Sequence, residues 1–182
     1  GATNLSTFVV YYFQARLGYE KTEAASPAFM LQLFVGVFIL LSALPAGWLS
    51  DRFGKKRMAM ISGVIGAIGT TVALSVPSLP VIYVGGSIIG IATGLFFTAN
   101  WALGTVLVPK EEAGRYLGIS NLAGAGAGAV GAYIGGPIAD FVSARGAALT
   151  GTQGLGYMLL FGIYGVMFLL STLALLRVKE PK

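Results

Sequence analysis

The chain has 182 residues, 55% of them hydrophobic and 10% charged, with a net charge of +5 and a mean hydropathy of +0.80. Soluble domains carry about 25% charged residues, and a domain this small leaves too much surface wet to hide so many apolar side chains from water. A water-soluble fold is therefore excluded, and the absence of cysteine and histidine excludes disulfides, thiolate chemistry and imidazole metal sites.

Charge-free runs of roughly 20 residues mark membrane-spanning helices. The first residues are already apolar, so the chain is expected to begin inside a helix, at 1–17. The second span is expected at 27–49, with Ser26 as N-cap and Pro27 in the first turn. The run from Met58 to Pro109 is too long for one crossing. Pro77-Ser78-Leu79-Pro80 divides it into spans at 58–76 and 80–108. The last two are expected at 116–139 and 155–176, separated by the polar stretch Thr150 to Gly154. Residues 1–182 thus read as a single all-α bundle of six transmembrane helices, with the lipid bilayer as its main solvent.

The links fall alternately on two sides. Arg52, Lys55, Lys56, Arg57, Lys110, Arg115, Arg177, Lys179 and Lys182 share one side, against Arg16, Lys21 and Arg145 on the other. This positive-inside bias places the basic links and the C-terminus in the cytoplasm. The net positive charge is topological, and no nucleic-acid partner is expected. Glycine is the one compositional oddity. Gly86, Gly90 and Gly94 recur every fourth residue in the fourth helix, as do Gly124, Gly128, Ala132 and Gly136 in the fifth. Such faces let helix backbones approach closely, and could also let two helices slide.

The second helix ends in Gly47-Trp48-Leu49-Ser50-Asp51-Arg52-Phe53-Gly54-Lys55-Lys56-Arg57. Gly47 allows close approach of a neighbouring helix, and Gly54 supplies the turn that reverses the chain. Asp51 at the membrane boundary suits the positive N-terminus of a helix, while Arg52 and Lys55 to Arg57 suit anionic headgroups. This stretch resembles the G-x-x-x-D-R-x-G-R/K-R/K loop of the major facilitator superfamily, which lies between the second and third helices of a six-helix repeat. Val108 to Arg115 with Gly118 and Asn121, the Gly135-Gly136-Pro137 run taken as the end of the fifth helix, and the final Leu175 to Pro181 resemble other parts of such a repeat. Only the 47–57 loop is sharply specific. The fourth helix is uncharged and the chain stops after the sixth, which favours the C-terminal repeat.

The resemblance implies a half built of 3+3 inverted repeats. It implies a partner in the complementary six-helix half, on the same or a separate chain, and alternating access to a small-molecule solute between them. Residues 47–57 would act as a conformational latch between the halves, through Gly47, Asp51, Arg52, Gly54, Lys55, Lys56 and Arg57. The first and fourth helices would line the cavity, with the second and fifth beside them. Polar groups there are the candidate contacts. They are Asn4, Thr7 and Tyr11 on one face of the first helix, Gln32 on the second, and Phe97, Asn100 and Trp101, together with Thr93, on the fourth. Amides beside aromatic rings suit a neutral polar, sugar-like solute. Tyr12, Gln14 and Arg16 are equally explained as interfacial residues, and Asn100 and Trp101 as helix packing.

No acidic residue is expected mid-membrane, since Asp140 is read as ending the fifth helix and Glu20 and Glu23 as lying in a loop. Proton symport would then draw on the other half, or transport is not proton-driven. No paired carboxylates share a helix face, so the chain does not read as an enzyme, and no metal or cofactor is expected. The expected location is a bacterial inner (plasma) membrane, as a multi-pass protein. The competing reading is a non-transporting relative of the superfamily, serving as a subunit or assembly factor of a larger membrane complex.

Overall fold

A computed structural model describes the backbone of residues 2–108 and 110–178, and the side chains of 7–108 and 111–178. The expected cytoplasmic residues Pro109, Lys179 and Lys182 lie outside the described residues, as do the side chains of Lys110 and of the cavity candidate Asn4. Six α-helices follow one another: α1 Ala2–Leu17, α2 Lys21–Phe53, α3 Lys55–Ser75, α4 Leu79–Leu107, α5 Ala113–Thr150 and α6 Leu155–Leu176. All but α1 are long and apolar enough to cross a membrane.

The helices overrun the expected spans at two places. Helix α2 begins at Lys21, not at Ser26-Pro27, because Glu23 folds back to accept a hydrogen bond from the Glu20 N–H at 3.3 Å, a capping box that starts the helix a turn and a half earlier. Pro27 therefore sits inside the helix. Helix α5 runs through Gly135-Gly136-Pro137 and ends only at Gly151, whose φ of 69° and N–H bond to Ala147 O form a left-handed cap. One proline removes one backbone donor, which a membrane helix tolerates when neighbours surround it. At about 1.5 Å per residue α5 is ~57 Å long against a hydrocarbon core of about 30 Å, so it projects well beyond the membrane.

Helices α2, α3 and α4 form the tightest group, with α6 against α3 and α5 against α6. Helix α1 fills the gap between α2, α5 and α6, and its Phe8, Tyr12 and Phe13 are buried against Phe161 and Tyr157 of α6. The first half of α5 is exposed almost throughout, and a Cβ on Gly114, Gly118, Gly124, Gly126 or Gly128 would meet nothing within 4 Å.

Lipid tails are as apolar as leucine, so the helices associate through close van der Waals contact. The α4 glycines serve that end. A Cβ on Gly94 would overlap Ser42 Oγ and stand 2.6 Å from Ile39 O, and one on Gly90 would stand 2.5 Å from Val35 O, both on α2. The α5 glycines divide. Gly135 and Gly136 pack on Phe8, whereas a Cβ on Gly124 or Gly128 would meet nothing within 4 Å. Their stripe is smooth, but no helix of this chain lies on it.

Gly94→Leu should cost about 1–3 kcal/mol through overpacking against α2, and lower the melting temperature of the purified protein. Gly162→Leu on α6, where a Cβ meets nothing within 4 Å, should leave it nearly unchanged. Equal melting of the two variants would show that α4 does not depend on that contact.

Candidate functional site

At one end of the bundle α2 passes into α3 through a single residue. Gly54 has φ 95°, a region closed to most L-residues, and serves both helices: its N–H donates to Ser50 O and its carbonyl accepts from Met58 N, each at 3.1 Å. Around this turn the basic residues have different uses. Arg52 lies over the rings of Trp48 at 5.2 Å and Phe53 at 5.7 Å, a cation–π arrangement. Lys55 pairs with Asp51 at 3.6 Å. Arg57 is exposed.

Lys56 departs from the headgroup role expected of it. Its ammonium donates to Leu176 O at 3.0 Å and Val178 O at 2.6 Å, capping the C-terminal carbonyls of α6. The charge favours that negative helix end and ties the start of α3 to the end of α6. Gly47 and Asp51 meet little within the chain. A Cβ on Gly47 would find nothing within 4 Å, and the Asp51 side chain is 76% exposed.

The candidate solute contacts fall at two levels. Gly86 packs on Leu31, which sets Gln32 at the level of the first third of α4. Asn100 lies about 20 Å further along α4 at ~1.5 Å per residue, near the basic end, where its neighbour Ala99 packs with Ala46, Met58 and Ala59. Gln32 borders an apolar cavity of about 60 Å³ whose lining includes Tyr12, Val35, Ile89 and Phe161. Tyr12 is buried in the core at 2% exposure, so it is neither an interfacial belt residue nor a surface contact.

Phe97, Asn100 and Trp101 are exposed together on α4, with Phe97 edge-on to Phe96 at 6.3 Å. Thr93 does not join them. It is buried, and its hydroxyl donates to Ile89 O at 2.7 Å. Asn100 contrasts with the hydroxyl residues of the spans. Ser42, Ser62, Thr70, Thr71 and Thr93 all spend their donors on carbonyls of their own helix, whereas Asn100 makes no hydrogen bond among the described residues. The packing alternative for Asn100 has no hydrogen-bond partner to point to among the described residues. Thr7 is exposed on α1, one turn before Tyr11.

Tyr11 is half exposed and stacked parallel on Tyr157 of α6, with centroids 6.1 Å apart and planes at 7°. Tyr157 in turn donates its phenolic hydrogen to Asp140 Oδ1 at 2.5 Å. Sequence reasoning missed this link because it ended the fifth helix at Asp140, which instead lies ten residues inside α5. The available signal was that Asp140 is the only carboxylate between Glu112 and Glu180. No group of metal-ligating side chains occurs among the described residues.

The family model described as Major Facilitator Superfamily matches residues 1–182, the whole chain. Among curated proteins, the chain is similar to the minor myo-inositol transporter IolF of Bacillus subtilis (strain 168), with 33% identity over 90 residues. That stretch is 50% of this chain and 20% of the relative, so it spans about a fifth of the relative's length. Full-length agreement with the family model, six helices without a strand among the described residues, and the 47–57 turn at the α2–α3 junction converge. This chain is an integral, multi-pass membrane protein and belongs to the Major Facilitator Superfamily.

Proposed function

We propose that the chain is one half of a secondary carrier that moves a small, neutral, polyhydroxylated solute by alternating access, working with a complementary six-helix half. The observation that carries this reading is Asn100. It presents an amide without a hydrogen-bond partner among the described residues, between Phe97 and Trp101, whereas most hydroxyl residues of the spans bond carbonyls of their own helix. An unpaired amide in a bilayer is costly unless water or solute meets it. An amide offers both donor and acceptor, which suits a hydroxyl, and the flanking rings suit the apolar face of a polyol. The inositol transporter named above is consistent with that solute class.

The complementary half is inferred from surfaces that lack a partner here. Gly47 is open, Asp51 is mostly exposed and meets only Lys55 of its own turn, the stripe at Gly124 and Gly128 is uncovered, and α2 exposes Leu33, Val37, Leu40, Leu44 and Trp48 along its length. On this reading the 47–57 turn is the latch, with Asp51 facing a helix N-terminus of the other half in one of the two states. The basic end is cytoplasmic, with the C-terminus, in a bacterial plasma membrane.

Replacing Asn100 by Leu in the assembled carrier should weaken binding of myo-inositol by about 1–3 kcal/mol, or roughly 5- to 150-fold, by leaving solute hydroxyls unpaired. The melting temperature should hold, since leucine is at home in lipid. A variant that melts early yet binds normally would remove Asn100 from the pathway, and a wild-type carrier that moves no polyol would favour a non-transporting role.

Asp51→Asn should insert and fold normally but slow uptake several-fold, because the latch loses its charge. Normal uptake by a well-expressed variant would count against the latch. Topology is checked with single cysteines, clean in a chain that has none. Cysteine at the exposed Arg57 should label only from the cytoplasm and at the exposed Gln153 only from outside; labelling from one side would overturn the orientation. Ser50, although within the latch, is buried and unsuited to this purpose.

A further inference from the structure

We propose that Asp140, held in place by Tyr157 beside the ring of Tyr11, is a second solute station, which receives a polyol at the end of the bundle opposite the basic turn. The proposal rests on reading the chain as half of a polyol carrier, and it adds residues that this reading had not included.

The three groups come from three helices. Asp140 on α5 is exposed, Tyr157 on α6 is 6% exposed, and Tyr11 on α1 is 48% exposed. The Tyr157 hydroxyl donates to Asp140 Oδ1 at 2.5 Å, while its ring stacks on Tyr11 and leans on Phe8 with centroids 6.5 Å apart. The buried tyrosine thus ties a carboxylate to an aromatic face, and both remain open on the outside.

The backbone beneath is equally constrained. Gly156, the residue before Tyr157, lies so close to Ala139 that a Cβ would overlap the Ala139 carbonyl oxygen. Its N–H also donates to Ser143 Oγ at 3.0 Å. Asp140 and Tyr157 therefore sit on two helix segments locked against each other, which fixes the carboxylate in position before any solute arrives.

The charge is otherwise unexplained. No cation lies within ion-pair range of Asp140 among the described residues. The basic group nearest along its own helix, Arg145, is stacked over Phe141 at 4.2 Å. Tyr157 occupies Oδ1 with one hydrogen bond, and Oδ2 has no partner among the described residues. A carboxylate held at the start of α6 with one oxygen already bonded and no counter-charge has an acceptor to offer.

Its open oxygen accepts only, so the complementary solute group is a donor. A ring polyol satisfies both halves of the site: vicinal hydroxyls donate to the carboxylate and the C–H face lies on Tyr11. An organic cation would also fit a carboxylate beside a ring. The polyol is chosen because it follows from the solute class proposed above, and the choline measurement below separates the two.

The test uses the assembled carrier, this chain with its complementary half, and measures binding of myo-inositol and of choline by calorimetry, with a melting curve for each variant. Asp140→Ala should weaken myo-inositol binding by about 10- to 100-fold, the usual size for hydrogen bonds to a charged group. Asp140→Asn keeps the shape and one acceptor, and should fall between Asp140→Ala and wild type.

Tyr157 acts through Asp140 as a positioning residue, so Tyr157→Phe should cost about 3- to 10-fold alone and nothing further in the Asp140→Ala background. Additive losses would mark Tyr157 as merely structural and overturn its assigned role. Wild-type affinity in both Asp140 variants would overturn the station while leaving the carrier reading intact. Choline binding that depends on Asp140, without myo-inositol binding, would replace the polyol by a cation and overturn the proposal. A wild-type protein that binds neither would bring down both this proposal and the solute class on which it rests. Should Asp140→Ala melt early, the exposed Tyr11→Leu change carries the same test, with an expected loss of about 3- to 10-fold from the missing ring face.

Discussion

The bundle depends on how closely its backbones approach. Inside a membrane the hydrophobic effect does not drive helices together, because lipid tails solvate leucine as well as another helix does. What holds α2 to α4, α3 to α4 and α5 to α6 is contact at positions where a methyl group has no room. Gly94 and Gly90 stand against α2, Gly69 and Gly85 bring α3 and α4 together, and Gly156 presses on Ala139. Between α3 and α6 the same closeness lets Thr172 of α6 donate to Met60 O of α3 at 3.0 Å. Hydrogen bonds and packing therefore reinforce each other where dispersion is densest.

That requirement explains what could be read from the chain and what could not. The α4 stripe was legible because a four-residue glycine repeat has one structural use in lipid, and α2 lies upon it. The identical repeat in α5 is uncovered at Gly124 and Gly128, since spacing specifies a smooth face but not which chain will cover it. The turn at Gly54 was legible because glycine, flanked by charge, closes an apolar run. The two misplaced helix ends share another cause. Ser26-Pro27 and Gly136-Pro137 are common helix boundaries, yet each proline lies inside its helix, where it removes one backbone donor and the flanking hydrogen bonds carry the helix through. The true ends rest on Glu20 with Glu23 and on Gly151, local signals that the proline rule overrode.

The candidate site was legible in residue type and not in arrangement. Asn100 and Trp101 stood out as polar or amphipathic groups in an uncharged run, and both are exposed. Face-sharing by helical spacing nevertheless placed Thr93 with them, although a residue one turn from Phe97 is turned far enough to pack inward. Depth was not legible at all. Periodicity assigns a face but no level, and Gln32 proved to lie far from Asn100 along the bundle axis. Lys56 illustrates the same limit for charge. Topology explains why it is basic, and only the fold brings the carbonyls of Leu176 and Val178 to it.

The distribution of polar groups follows from the same economy. Hydroxyl side chains can hide in a membrane helix by donating to a carbonyl three or four residues back, as Ser62 and Thr70 do, and they then carry no demand for a partner. An amide or a carboxylate has no such local refuge, since neither can satisfy all its atoms from its own helix. Gln32, Asn100, Asn121 and Asp140 are exposed residues of this kind within the helices, with Asn100 near the basic end and Asp140 near the other. A helix that spans lipid tolerates such groups only where something polar comes to meet them, and Asn100 and Asp140 stand near opposite ends of one bundle. A carrier that must offer its solute polar contacts from either side in turn has a use for both.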